Sequence, residues 1–184
     1  MKYNNEWLMA KYRAGEKIKF VFFWGHQPST DGSVTKSCFS QWAYTNFTVN
    51  GVSYKTAEHW MMAGKASMFN DNAVLAKILG AATPAEVKKL GRQVKGFDAA
   101  VWDANKFSLV RDGNIHKFGQ HPELKTFLLN TGDRVLVEAS PLDRIWGIGL
   151  GEKNEHAENP LLWRGQNLLG YALMEARDQL NQNG

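Results

Sequence analysis

The stretch Thr56-Ala57-Glu58-His59-Trp60-Met61-Met62-Ala63-Gly64-Lys65-Ala66 decides how the rest of the chain is read. Apart from Glu58, His59 and Lys65 the run is apolar, so it reads as a helix buried on most sides. Glu58 and Lys65 stand seven positions apart. At ~3.6 residues per turn they share one stripe, roughly 10 Å apart along the axis. Met62 lies between them, so an acid and an amine bracket a ligand lying along this face. Burying either charge without a partner is costly or shifts its pKa. The same residues also fit a purely structural part. Thr56 is a suitable N-cap, an acid in the first turn suits the helix dipole, and Lys65 can snorkel to solvent. Spacing alone leaves both readings open.

Upstream, Tyr44 to Val49, Asn50-Gly51 and Val52 to Lys55 form the clearest local signal. Asn-Gly between alternating β-formers specifies a type I′ hairpin, here leading directly into the Glu58 helix. Ile18 to Trp24 reads as a partly buried strand, preceded by a short amphipathic helix from Glu6 to Ala14. Gly25 to Ser37 reads as a long loop. Downstream, helical patterns cover Asn72–Gly80, Pro84–Gly91, about Ala99–Phe118, Pro122–Leu129 and Asn167–Leu180. Thr83-Pro84 marks a start, and Gly80 and Gly91 mark stops. Arg134 to Ala139 reads as a short strand. Pro141 to Gly165 holds too many breakers for a long element and is either ordered by side-chain contacts or partly mobile. The class is α+β, a mostly helical single domain over 1–184 with a small antiparallel sheet.

Bulk composition narrows the function. Apolar residues make up 43% of the 184, with seven Trp, enough for a packed core. The net charge of +4 is scattered, without the dense Lys/Arg run that a basic nucleic-acid adaptor needs. The single cysteine, Cys38, excludes an internal disulfide and reads as a plain buried thiol. The five histidines show no ligand spacing, so no metal and no cofactor are expected. Without a signal-like or membrane-length apolar run, a soluble cytoplasmic protein is expected. No P-loop, Rossmann glycine pattern or G-x-S-x-G elbow is present.

Polar groups stand among aromatics in four segments: Phe22 to Gly25, Phe39-Ser40-Gln41-Trp42, Asp143-Arg144-Ile145-Trp146-Gly147 and Gly165-Gln166-Asn167. Aromatic faces beside donors and acceptors suit a flat heterocycle, and core packing is the alternative for any single Trp. Gly147 and Gly149 suit either a turn or close backbone approach to a ligand. Asp143 suits either catalytic assistance or capping of the Trp146-Gly147 turn. Arg92 and Lys95 are candidate phosphate contacts, with solvated surface charge as the alternative.

These blocks, with Thr56-Ala57-Glu58-His59 and Lys65, Lys117-Phe118-Gly119-Gln120-His121, Leu128-Leu129-Asn130-Thr131-Gly132, Val137-Glu138-Ala139 and Gln166-Asn167-Leu168-Leu169-Gly170 with Leu173-Met174 and Arg177, resemble the NADAR family. The order agrees and the resemblance covers about 20–180. It departs in the loop before Cys38 and in Glu152–Trp163. The resemblance implies cleavage of a ribosyl–base nitrogen bond, either in ADP-ribosylated guanine of nucleic acid or in a phosphoribosyl intermediate of riboflavin synthesis. Glu58 and Lys65 fall on the family's acid and lysine positions, and Asp143 joins them as a catalytic candidate. Trp24, Gly25, Ser40, Gln41, Trp42, Trp102, Trp146, Gly147 and Asn167 are the expected substrate contacts, with Arg92 and Lys95 for phosphate. The expected partners are an ADP-ribose or phosphoribosyl ligand and ADP-ribosylated DNA or RNA. No membrane is expected, and a monomer is. A non-catalytic ADP-ribose-binding module is the second reading; it needs the aromatic pocket and does not need Lys65.

Overall fold

The computed structural model describes residues 1–182. Its centre is α2 (Ala57–Met68), whose Thr56 side chain accepts a hydrogen bond from the His59 backbone N–H, as the capping pattern requires. The predicted burial on most sides is observed: Ala57, Glu58, His59, Met61, Met62, Ala63 and Ala66 are all buried. His59 is a satisfied core residue, with Nδ1 2.8 Å from Thr56 Oγ1 and Nε2 3.3 Å from the Ala81 carbonyl.

Three helices cover α2: α3 (Asn72–Gly80), α4 (Pro84–Gly91) and α5 (Ala99–Gly119). Small residues set the closeness of these crossings. A Cβ added at Gly113 of α5 would stand 2.4 Å from the Trp60 ring, and one at Gly91 of α4 would stand 2.0 Å from Met62 Sδ. Trp60 is held in place besides, its indole N–H donating to the Leu109 carbonyl at 2.8 Å.

The hairpin is present as β2 (Phe47–Val49) and β3 (Val52–Tyr54), antiparallel, with Val49 opposite Val52. Asn50 and Gly51 both take positive φ, 51° and 79°, as a type I′ turn demands. α1 (Asn5–Arg13) precedes β1 (Phe20–Phe23), and α6 (Pro122–Leu129) precedes β4 (Val135–Glu138). The expectation of one small antiparallel sheet needs enlarging here. β1 and β4 form a second two-stranded sheet, and it is parallel, with Phe20 opposite Val135 and Phe23 opposite Glu138. Parallel strands need a long crossover, and the intervening helices provide it. Both strands therefore end on the same side, so the segments after Phe23 and after Glu138 emerge together.

The breaker-rich 141–165 stretch holds only a short 3-10 turn at Pro160–Leu162. It is ordered by contacts, including Trp163 Nε1 donating to the Ala157 carbonyl at 2.8 Å. α7 (Leu168–Gln182) packs on α5 and on β4. Its first turn approaches β4 so closely that a Cβ at Gly170 would stand 2.1 Å from the Leu136 carbonyl.

The glycine contacts give a stability test. Gly113→Ala forces a methyl into a tethered indole and is expected to cost about 1–3 kcal/mol by overpacking. Gly80→Ala meets nothing within 4 Å and is expected to be neutral or stabilising by up to about 1 kcal/mol. Urea unfolding of the two variants checks the contrast.

Candidate active site

Among the described residues, four buried side-chain polar atoms make no hydrogen bond within the chain: Gln41 Nε2, Glu58 Oε1, Asn114 Oδ1 and Glu138 Oε2. An unpaired buried polar atom costs about 1–3 kcal/mol, so a fold tolerates few without a reason. Here they are neighbours rather than scattered. Gln41 accepts from Asn114 Nδ2 at 3.0 Å, the Gln41 carbonyl accepts the Glu58 N–H at 2.9 Å, and Glu138 feels the charge of Glu58.

α5 fixes the segment that carries Gln41 and Trp42. Lys117 is fully buried, and its ammonium donates to the Cys38 carbonyl at 2.6 Å and the Ser40 carbonyl at 3.0 Å. Burial lowers its pKa to about 8. Asn114, one turn earlier, holds Gln41. Ser40 is spent locally, its hydroxyl accepting the Trp42 N–H at 3.1 Å.

Glu58, at the start of α2, is 3% exposed. Burial pushes its pKa up to about 7, against the pull of Lys88 and of the polar side chain of Trp42, with Asp143 adding to the rise. Glu138, at the end of β4, rises to about 8, first through burial and then through the charge of Asp143. Lys88 on α4 opposes this rise, and its Nζ lies 5.7 Å from the Trp42 ring centroid. The His26 ring lies 5.6 Å from that of Trp42. Two carboxyls that retain protons near neutrality, an indole, an imidazole and an ammonium thus meet where β1 and β4 end. The carboxylates of this group do not form a cluster fit for a metal ion among the described residues.

The structure distributes the other expected residues unevenly. Asp143 is drawn into the site electrostatically, yet its Oδ1 also accepts the Ile145 and Trp146 N–H groups at 2.9 and 2.8 Å. It caps the turn and charges the site at once. Trp146 packs against the core, and Gly147 leaves no room for a side chain, since a Cβ there would stand 2.8 Å from the Glu138 carbonyl. Trp24 is 68% exposed and, with Gly25, follows directly on β1. Asn167 is a correction: it is fully buried, its Nδ2 donating to the Leu136 carbonyl and its Oδ1 accepting the Glu138 N–H, both at 2.9 Å. It extends the β4 hydrogen-bonding edge and positions Glu138 from behind.

A ligand lying along the Glu58–Met62–Lys65 stripe is also not what the packing allows. Met62 is buried beneath Gly91 of α4, so the stripe is covered between its ends. Lys65 donates to the Gly91 carbonyl at 2.8 Å and lies 4.2 and 5.6 Å from the ring centroids of Phe97 and Trp102. Its pKa is lowered by burial, with the Phe97 and Trp102 rings beside it. Arg92 and Lys95 are exposed beyond that carbonyl. Glu138, Lys88 and His26 were missed as site residues. Glu138 stood in a block read as a strand and as part of the family resemblance, with no site role attached, and its pairing to β1 is long-range. Nothing in local sequence distinguishes Lys88 from the other surface lysines.

The NADAR domain profile matches residues 22–181. The chain belongs to the NADAR family. An N-glycosidase of Acanthamoeba polyphaga mimivirus is 41% identical over 172 residues, covering 91% of this chain and 99% of that protein. N-glycosidase YbiA of Escherichia coli is 33% identical over 142 residues, covering 77% and 80%. The NMR structure of Escherichia coli YbiA superposes with a TM-score of 0.72 at 29% identity, over 91% of this NADAR chain and 88% of that one. No helix among the described residues is long and apolar enough to cross a membrane.

The raised Glu58 pKa fixes a sign. Between about 4.5 and about 7 the folded chain binds more protons at Glu58 than the unfolded chain, so stability falls as pH rises through that window. Glu58→Gln removes the titration while keeping the shape. It is expected to flatten this fall and to gain on the order of 3 kcal/mol over the unsubstituted protein above about pH 8. Denaturant midpoints at about pH 5 and about pH 8.5 measure it. Equal pH dependence in the two proteins would contradict the assigned burial.

Proposed function

We propose that the chain is an N-glycoside hydrolase that removes ADP-ribose from guanine bases of nucleic acid. The observation that carries this reading is Glu58: a buried carboxyl with an unpaired oxygen, holding its proton to about 7 beside an indole and an ammonium. The N-glycosidase names of the relatives support the reaction class. A carboxyl poised near neutrality suits proton transfer, whereas a binding module gains nothing from destabilising it.

Breaking a ribosyl–nitrogen bond leaves positive charge on the anomeric carbon and an electron pair on the leaving nitrogen. Glu58 in its ionised form faces the first, or takes the proton of an attacking water. Lys88, beside Trp42, joins Arg92 and Lys95 as a phosphate contact on the α4 side. A cavity of about 630 Å³, lined by His26, Ser33, Thr35, Tyr44 and His121 among others, opens beside the Trp42–His26 pair. Its volume suits a nucleobase with attached sugar, and its lining includes hydroxyls and imidazoles but no lysine or arginine. That supports an uncharged base, as guanine is, on this side of the site.

Lys65 is the candidate nucleophile. In this route the ribose ring opens first, the C1–ring-oxygen bond breaking with a proton going to the oxygen as the electron pair of the base nitrogen forms a C=N bond. Lys65, released from the Gly91 carbonyl, then adds its neutral amine to C1, the C1–base bond breaks as the base departs with a proton, and water hydrolyses the resulting imine to free sugar and amine.

Incubation with guanine-ADP-ribosylated DNA, and separately with the phosphoribosyl riboflavin intermediate, tests the proposal. Release of ADP-ribose from the first is expected; turnover of the second alone would overturn the substrate assignment. Glu58→Gln is expected to lose about 10²–10⁴-fold in kcat while still binding ligand. Lys65→Ala is expected to abolish base release, and borohydride during turnover to leave a sugar adduct on Lys65. Full activity of Lys65→Ala would restrict catalysis to direct attack by water assisted by Glu58.

A further inference from the structure

β4 ends on Glu138, and three separate elements hold that residue in place. Register pairs it with Phe23 of the parallel strand, Asn167 at the head of α7 accepts its N–H, and Gly147 of the following turn lies against its carbonyl. The backbone is thus immobilised on every side, yet the side-chain Oε2 is enclosed without a hydrogen-bond partner. A residue kept only for packing would be apolar here, because an unpaired buried carboxyl is a liability.

The groups acting on Glu138 come from three directions: Glu58 from α2, Asp143 from the turn after β4, and Lys88 from α4. Their effects on the two glutamates are unequal. Lys88 is the largest charge influence on Glu58 and the polar side chain of Trp42 adds to it, both of which favour its anion. Glu138 has Asp143 as its largest charge influence, which disfavours its anion. When two neighbouring carboxyls compete for one proton, the more acidic environment ionises first and the other keeps the proton.

We propose that Glu138 is the general acid of the reaction proposed above, delivering its proton to the leaving base while ionised Glu58 serves the sugar side. The C1–N bond breaks with its electron pair passing to nitrogen, and the Glu138 proton bonds to the base. In the direct route, water forms the C1–O bond and gives its proton to Glu58; transfer from Glu58 to Glu138 restores the starting state. In the route through Lys65, the same proton from Glu138 accompanies the departing base. The division of labour accounts for two enclosed carboxyls where one would suffice for charge stabilisation alone.

The inference rests on N-glycoside hydrolysis, and the test separates the two. Two substrates are compared: guanine-linked ADP-ribose, whose base needs a proton to leave, and an ADP-ribosyl 4-nitrophenyl glycoside, whose leaving group is a stable anion without one. Glu138→Gln is expected to lose about 10²–10⁴-fold in kcat on the first and little on the second. Equal losses on both, with the folded state intact by circular dichroism, would overturn the general-acid role. The unsubstituted protein gives an independent readout if the variant does not fold. Its activity on the guanine substrate is expected to fall as pH rises through about 8, with no such limb on the nitrophenyl substrate. An identical alkaline limb on both would also overturn it. Failure of the unsubstituted protein to cleave either substrate would instead remove the hydrolase reading beneath it.

Discussion

The structure depends on a carboxyl that the fold makes uncomfortable. Glu58 sits in the first turn of a largely buried helix, where the dipole and Thr56 favour an acid. Tertiary packing then removes its water and leaves one oxygen unpaired. α3, α4 and α5 close over α2 for ordinary reasons of apolar burial, and they carry Glu58 inside with it. The cost is recovered elsewhere in a large core, which is why the fold can retain so unfavourable a group.

Rigidity around the carboxyl comes from residues that do no chemistry. Lys117 and Asn114 project from adjacent turns of α5 and tie down the segment bearing Gln41 and Trp42. Asn167 and Gly170 let α7 dock against β4 and align Glu138. The Gly147 turn closes the third side, with Asp143 acting as both cap and charge. Preorganisation of this kind keeps polar groups aimed at a reacting atom without reorganisation during the reaction.

Local structure was legible because it is locally encoded. Asn50-Gly51 specifies its turn through positive φ, and Thr56 and Thr83-Pro84 announce helix starts through capping and fixed φ. The site was legible only in part. Glu58 and Trp42 stand out by residue type, and the structure does bring them together. Glu138 did not stand out, because its importance arises from parallel pairing with a strand near the other end of the chain. Asn167 looked like a ligand contact, since an amide in the run Gly165-Gln166-Asn167 carries no sign that two backbone groups of β4 will consume it. The Glu58–Lys65 stripe was correct as helical geometry, and it failed as a ligand track because Gly91 allows α4 to lie on Met62.

The central claim is that two glutamates keep their protons near neutrality because the fold encloses them together. Carbon-13 NMR of glutamate side-chain carboxyls across a pH titration tests it most directly, with Glu58→Gln and Glu138→Gln supplying the assignments. Two resonances are expected to titrate at about 7 and about 8. The higher one, of Glu138, moves downward when Glu58 is replaced, since removing a neighbouring negative charge eases its ionisation, whereas Glu58, which ionises while Glu138 still holds its proton, moves little when Glu138 is replaced. Titration of every glutamate near its ordinary value of about 4.3, with no response of Glu138 to replacement of Glu58, would contradict the account.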